Sequence, residues 1–462
     1  MQGTSHIKVK HLAASLRVEP ETDGLPMIRL LLLLLGAELV QRRWRVLLTI
    51  GVLWSGLGIA IMIDAFDGST RVRPHYFGYL LLLEGTVSLF AALLAAKWRP
   101  YQFAKALVLI VPALVIIAQP RHSNLLIAVL LGGVLFLDGA ARIFSAWVVR
   151  FHAWRMAIGA GIVEVLLAIT TLEPWPTWYE GTIGFNIGAL LIVSGWTTML
   201  LANRLRLLPP DAPISALMGG ALPAMQRYPD ISEQGGADDL VVHVWTPAGA
   251  SRSARRRPLV DRYIAAIDAN GTVSTGHAAL ELDDVYVSHH PAVEIDRAPD
   301  EFGRVLRAGV ENDLPGRFLP SYPEEAAGWC EATEHVRFTQ IDRARVRRFW
   351  RSYRIDTTYN LTSRNCSTAV ARALDAALEG VLGQNGRPWR ALLQAMVTPE
   401  LWVAGVLRRR AEAMAWTPGL VLDYARLLQV VVEPAPVRSS KTWSRLRRIS
   451  LRRAALARRR ET

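Results

Sequence analysis

Two side chains in this 462-residue chain have the makings of nucleophilic catalysis, Cys366 and His277. Cys366 follows Asn365 at the start of a predicted helix, Cys366–Leu378. Unpaired backbone N–H groups and the helix dipole favour negative charge there. A thiol so placed has a lowered pKa, and the thiolate is the nucleophilic form. The same N–H groups would hold the oxyanion of an acyl transfer. Asn365 is positioned to cap the helix and support the site, and Tyr359 either assists the oxyanion or packs. His277, on a predicted strand after Gly276, is the base for the thiol proton.

A third polar group must orient the imidazole, and the following strand offers His289 and His290. A two-residue turn at Asp283-Asp284 sets His277 opposite His290, whereas one more turn residue brings His289 onto its face. His289 is favoured. Cys330 reads as a small apolar side chain, and two cysteines cannot build a disulfide framework. A zinc site from Cys366, His277, His289 and His290 lacks the closely spaced ligand pairs of structural zinc, so neither metal nor cofactor is expected.

The elements that must carry these residues lie in an α+β pattern over 239–385. Alternating stretches at Leu240–Trp245, Tyr263–Asp268, Gly276–Leu282 and Val285–His289, with the turn signal Asn270-Gly271, predict an antiparallel sheet. Helices follow at Asp342–Tyr353 and Cys366–Leu378, then a helical extension over 386–435. The run Tyr359-Asn360-Leu361-Thr362-Ser363-Arg364-Asn365-Cys366, with its histidine strand earlier in the chain, resembles the nucleophile motif of circularly permuted papain-like enzymes. These include NlpC-like hydrolases, PPPDE-type peptidases and the lecithin retinol acyltransferase group. In the acyltransferases a second histidine follows the first by twelve positions, as His289 follows His277 here. Ser367-Thr368-Ala369 stands where they have Glu-His-Phe, which weakens the implication of a lipid substrate. The resemblance implies a thiol protease or amidase with Cys366 and His277 as the catalytic pair.

The first half has a different character. Of all residues 51% are hydrophobic, and they concentrate before residue 205, which excludes a single soluble globule and a disordered chain. Apolar stretches at 46–64, 76–96, 104–119, 125–148, 153–172 and 181–202 predict an all-α transmembrane domain of six spans over 46–203, arranged as three hairpin repeats. The repeat shows in Leu83-Glu84-Gly85, Leu137-Asp138-Gly139 and Val193-Ser194-Gly195. Met27–Val40, within the N-terminal segment 1–45, is too short to span and reads as an interfacial helix. No cleavable signal peptide is evident in the polar first 26 residues.

Glu84, Asp138 and Glu164 fall inside predicted spans, where they either line an ion pathway or pair with an interior arginine such as Arg142; pairing is favoured. Lysines and arginines gather in the connections that put both termini in the cytoplasm. Over about residues 40–205 the pattern resembles the HdeD family of bacterial inner-membrane proteins, which implies an inner-membrane location and an association with acid resistance.

Residues 204–238 form a linker, and 436–462 a tail that holds nine of the thirteen net positive charges. Trp443, Leu446 and Ile449 recur among its arginines, a pattern suited to anionic lipid head groups; without further stacking aromatics, nucleic acid is not favoured. The whole reads as a membrane-anchored cysteine hydrolase acting on a peptide, amide or acyl substrate. The alternatives are a non-catalytic stress-response or transport protein with a ligand-binding domain, and a lipid-directed thiol acyltransferase.

Overall fold

The computed structural model describes residues 26–67, 76–94, 100–118, 123–150, 154–173, 179–208, 214, 239–246, 266–267, 273–274, 276–293, 306–384, 392–393 and 398–433. The basic tail and most of the linker lie outside them.

Two short N-terminal helices, α1 (Pro26–Leu35) and α2 (Ala37–Arg42), precede the apolar half. That half folds into α3 (Trp44–Asp67), α4 (Tyr76–Leu94), α5 (Pro100–Ala118), α6 (Ser123–Val149), α7 (Trp154–Leu172) and α8 (Tyr179–Leu207). Within α3, α6, α7 and α8, four segments are long and apolar enough to cross a membrane: Trp44–Phe66, Leu125–Val149, Trp154–Leu172 and Gly181–Leu207. The apolar stretches of α4 and α5, Gly78–Phe90 and Phe103–Ala118, are shorter. Leu53, Ile63, Leu83, Leu137 and Phe144 are exposed on these helices, as side chains facing lipid would be.

Hairpin repeats suggest that helices pair in chain order, first with second. The close packing is offset by one: α4 lies against α5, α6 against α7, and α8 returns to α3. The repeat glycines are the cause, because each sits where its helix meets the next. A Cβ on Gly139 would stand 2.7 Å from the Gly161 carbonyl oxygen, and one on Gly195 2.5 Å from that of Gly51. Without side chains the two backbones can touch.

The second half is built on the antiparallel sheet β5-β4-β1-β8, formed by β1 (Leu240–Trp245), β4 (His277–Leu282), β5 (Val285–Val287) and β8 (Glu334–Phe338). Val242, Val244, Ala278, Leu280, Val336 and Phe338 point into one core; Trp245, His243, His277 and Ala279 alternate onto the other face. Against the core face pack α10 (Arg343–Tyr353), α11 (Cys366–Leu378) and α14 (Pro418–Val432), the last of them beyond α12 (Val381–Gln384) and α13 (Pro399–Ala413). The opposite face carries α9 (Tyr322–Gly328).

Three expectations change here. Of the predicted strand Tyr263–Asp268, only β2 (Ala266–Ile267) is described, and it pairs with β3 (Val273–Ser274) in a separate ribbon. The predicted strand Val285–His289 breaks at Ser288: β5 stays in the main sheet, while β6 (His289–Pro291) joins a second sheet with β7 (Leu314–Phe318) and β9 (Thr358–Tyr359). The segment read as an interfacial helix, Met27–Val40, falls on α1 and most of α2, and α1 is a core element, with Leu30, Leu33 and Leu34 fully buried beside α12 and α13. An interfacial helix needs a polar face. Six consecutive leucines after Arg29 make the rest of α1 apolar on every side, so protein rather than bilayer encloses it. The Gly380 N–H donates to the Leu33 carbonyl at 3.0 Å and fixes it there.

Candidate functional site

Cys366 opens α11, as its sequence context predicts. Asn365 is the cap: its Oδ1 accepts from the Thr368 N–H at 2.8 Å. Both donors of its amide are taken, by the Leu361 carbonyl at 2.7 Å and the Trp416 carbonyl at 2.9 Å. Asn365 therefore positions the helix and has no hydrogen left for an oxyanion. Arg364 secures the preceding loop through the Thr358 and Tyr353 carbonyls, at 2.9 and 2.8 Å, and stacks over the Tyr353 ring.

His277 opens β4, directly after Gly276, whose φ of 71° is open to glycine. This start sets the imidazole beside the Cys366 sulfur, close enough for each group to shift the other's pKa. Both side chains are buried. Burial alone would push the Cys366 thiol up, but the charge and hydrogen bond of His277, together with the Ala278 N–H and Ser367, bring its pKa below the usual thiol value. Burial likewise disfavours a charged His277, and the thiolate and Glu325 outweigh it, raising its pKa to about 9. Both shifts run in the direction that favours the thiolate–imidazolium form of the pair.

The group behind His277 is Glu325, from α9, which sequence reasoning missed. Its side chain is 2% exposed, and the carboxylate takes four contacts. Oε1 lies 3.0 Å from His277 Nε2 and 2.8 Å from His290 Nε2. Oε2 accepts from the Tyr286 hydroxyl at 2.6 Å and the Ser288 hydroxyl at 2.8 Å. Ser288 Oγ is also 3.0 Å from His277 Nε2. Burial would raise the Glu325 pKa, and these donors, His277 first, hold it well below the carboxylate range. With Nε2 so engaged, Nδ1 is the ring nitrogen left for the sulfur. The signal in the sequence was slight: a Glu-Glu pair after Ser321-Tyr322-Pro323, a helix start with nothing to mark it as part of the site.

His289, the favoured third residue, is not brought to His277. The turn at Asp283-Asp284 has two residues, with Asp283 at φ 48°, and Arg343 and Arg347 clamp the Asp283 carboxylate at 2.9 and 3.0 Å. That register puts His290 beside His277, the rings stacked at 4.0 Å. His289 turns into the second sheet, among Phe318, Tyr353 and Tyr359, with Nδ1 3.1 Å from the Tyr353 hydroxyl. Burial holds its pKa down at about 4, so it is neutral. Tyr359 is buried edge-on to His289 and packs. Cys330 is a free thiol whose carbonyl accepts from Trp245 Nε1 at 2.7 Å.

The ligand set considered for zinc does not assemble, because His289 is elsewhere. Among the described residues a different trio converges: donor atoms of His277, His290 and Glu325 lie within 4.8 Å of one another. They could hold a divalent ion only with His277 deprotonated, in competition with its pairing to Cys366.

Glu84, Asp138 and Glu164, on the apolar helices, each have a basic partner. Glu84 pairs with Lys105 at 2.7 Å and Glu164 with Arg142 at 2.9 Å. Asp138 reaches Arg409 at 2.6 Å and Arg410 at 2.9 Å, both on α13 of the second half.

No family model matches this chain, and neither curated proteins nor solved structures give a match.

Proposed function

We propose that this chain is a membrane-anchored cysteine hydrolase, a peptidase or amidase that works through an acyl-enzyme on Cys366. The observation that carries this reading is the burial of Cys366, at the first turn of α11, together with His277, at the start of β4, in mutual electrostatic contact. The Cys366 thiolate attacks the substrate carbonyl carbon, forming a C–S bond and an oxyanion. N–H groups at the start of α11 stabilise that oxyanion. The C–N bond then breaks, and the amine leaves with the proton held by His277. Water, deprotonated by the now neutral His277, attacks the thioester and releases the carboxylic acid, which restores thiolate and imidazolium.

In this reading the second half is a permuted papain-like domain and the first a six-span, HdeD-like bundle of an inner membrane, with both termini cytoplasmic. The basic tail rests on anionic head groups. The same thioester could pass its acyl group to a lipid amine or hydroxyl instead of water, and product analysis separates the two.

The test is labelling of the full-length protein with an electrophilic acyl probe. Cys366 should be modified, Cys330 spared, and His277→Ala should abolish the reaction. Equal labelling of both cysteines, or labelling that survives loss of His277, overturns the proposal in favour of a non-catalytic membrane protein.

A further inference from the structure

Glu325 holds more hydrogen bonds than a buried carboxylate needs, and it draws all of them from the neighbourhood of His277. The donors come from three consecutive strands: His277 on β4, Tyr286 on β5, then Ser288 and His290 at the break leading into β6. Two imidazoles share one carboxylate oxygen. A carboxylate present only for packing would need no imidazole on that oxygen, and an apolar side chain would fill its place at lower desolvation cost.

We infer that Glu325 is the positioning residue of the Cys366–His277 pair, fixing the ring with Nδ1 toward the sulfur and balancing the imidazolium charge. The inference rests on the hydrolase reading and adds to it the group that histidine chemistry requires. Tyr286 and Ser288 hold the carboxylate from its other oxygen. His290 is a second claimant on Oε1; it stacks on His277, and burial keeps it toward its neutral form. The titratable and charged groups facing this cluster are His277, Tyr286 and His290, with Cys366, His243, Glu281, Arg317 and Tyr322 behind them. The helix that delivers Glu325 is set by Ser321, whose hydroxyl accepts from the Glu324 N–H at 3.4 Å.

The experiment measures the rate of Cys366 alkylation by iodoacetamide against pH in the full-length protein, with the thermal unfolding midpoint as a control. Glu325→Gln removes the charge and keeps the shape. It should move the thiolate titration up by about one unit or more, a tenfold loss of thiolate on the acid side, with the unfolding midpoint little changed. Glu325→Asp keeps the charge but shortens the side chain, and should shift the profile less than Glu325→Gln. His290→Gln leaves the Glu325–His277 contact and should shift it least. Should Glu325→Gln not fold, the profile of Glu325→Asp decides: a titration matching wild type overturns the inference. So does a Glu325→Gln profile that superimposes on wild type, or a His290→Gln shift as large as that of Glu325→Gln.

A chelator should leave the wild-type rate unchanged; faster alkylation on chelation would mean that His277, His290 and Glu325 hold a metal, which also overturns the inference. Failure here is distinct from failure of the hydrolase reading. If wild-type Cys366 reacts no faster than Cys330, the hydrolase itself is lost. If Cys366 depends on His277 but both Glu325 variants follow wild type, only the role of Glu325 is lost.

Discussion

Burying a thiol and an imidazole ordinarily drives both toward their neutral forms, because a low-dielectric interior penalises charge. Cys366 and His277 escape this by being buried together, each supplying the opposite charge the other needs. The raised pKa of His277, about 9, keeps the imidazolium present through the neutral range. At neutral pH Cys366 should therefore be alkylated faster than an ordinary thiol, and the difference should narrow as pH rises toward about 9. His277→Ala strips the thiolate of its partner in the same buried site, and the rate at pH about 7 should fall at least tenfold, read by mass spectrometry of the alkylated peptide.

His289 offers an independent test. Its folded pKa, about 4, lies below its unfolded value of about 6.5, so between the two the unfolded chain binds more protons. Stability from this residue is present above about 6.5 and lost as pH falls toward 4. His289→Gln should flatten the fall of the unfolding midpoint over that interval. At this scale the sequence disclosed Cys366 and His277 by residue type, order and the Asn-Cys pair. It misassigned His289 because the break at Ser288 is a tertiary event, and it missed Glu325 because nothing local ties α9 to β4.

At the scale of elements, α11 depends on its cap. Asn365→Ala removes the acceptor for the Thr368 N–H and both donors to the Leu361 and Trp416 carbonyls. A lost cap costs about 1 kcal/mol. The unfolding midpoint should drop, and Cys366 labelling should drop with it, since the first turn carries the sulfur. The apolar helices have their own sensitive points. Gly139→Leu would place a side chain where the Gly161 backbone lies, with the first atom already 2.7 Å from a carbonyl oxygen. Separation of α6 from α7 should appear as a lower unfolding midpoint in detergent, while Gly133→Leu, at a position with open space beside it, should have little effect. Helix positions were readable from hydropathy, since each apolar run is continuous. Helix partners were not, because a repeated glycine marks a seam without saying which neighbour fills it.

Across the whole molecule, three consecutive arginines of α13 point two ways. Arg408 binds Asp375 of α11 at 2.8 Å, and the Tyr424 hydroxyl donates to the same carboxylate at 2.6 Å. Arg409 and Arg410 bind Asp138 of α6. Lys105, paired with Glu84, also lies 5.3 Å over the Trp402 ring of α13. One helix thus joins the helix that carries the thiol to two apolar helices of the first half. Asp138→Ala leaves two guanidinium groups without their carboxylate, so limited proteolysis should cut the second half faster than in wild type. Arg409→Ala with Arg410→Ala should restore part of the resistance to the Asp138→Ala protein; equal cleavage of all forms would contradict this link.

Residue types and spacing by themselves determined that the chain has an apolar helical half and an α+β half, that Cys366 begins a helix, and that His277 lies on an earlier strand. These follow from local rules, since periodicity and capping act within a few residues. Only the tertiary structure decided that α1 is enclosed by the second half, that Glu325 rather than His289 backs His277, and that Asp138 meets arginines of α13. Those pairings join residues far apart in the chain, and they depend on which surfaces the whole fold removes from water.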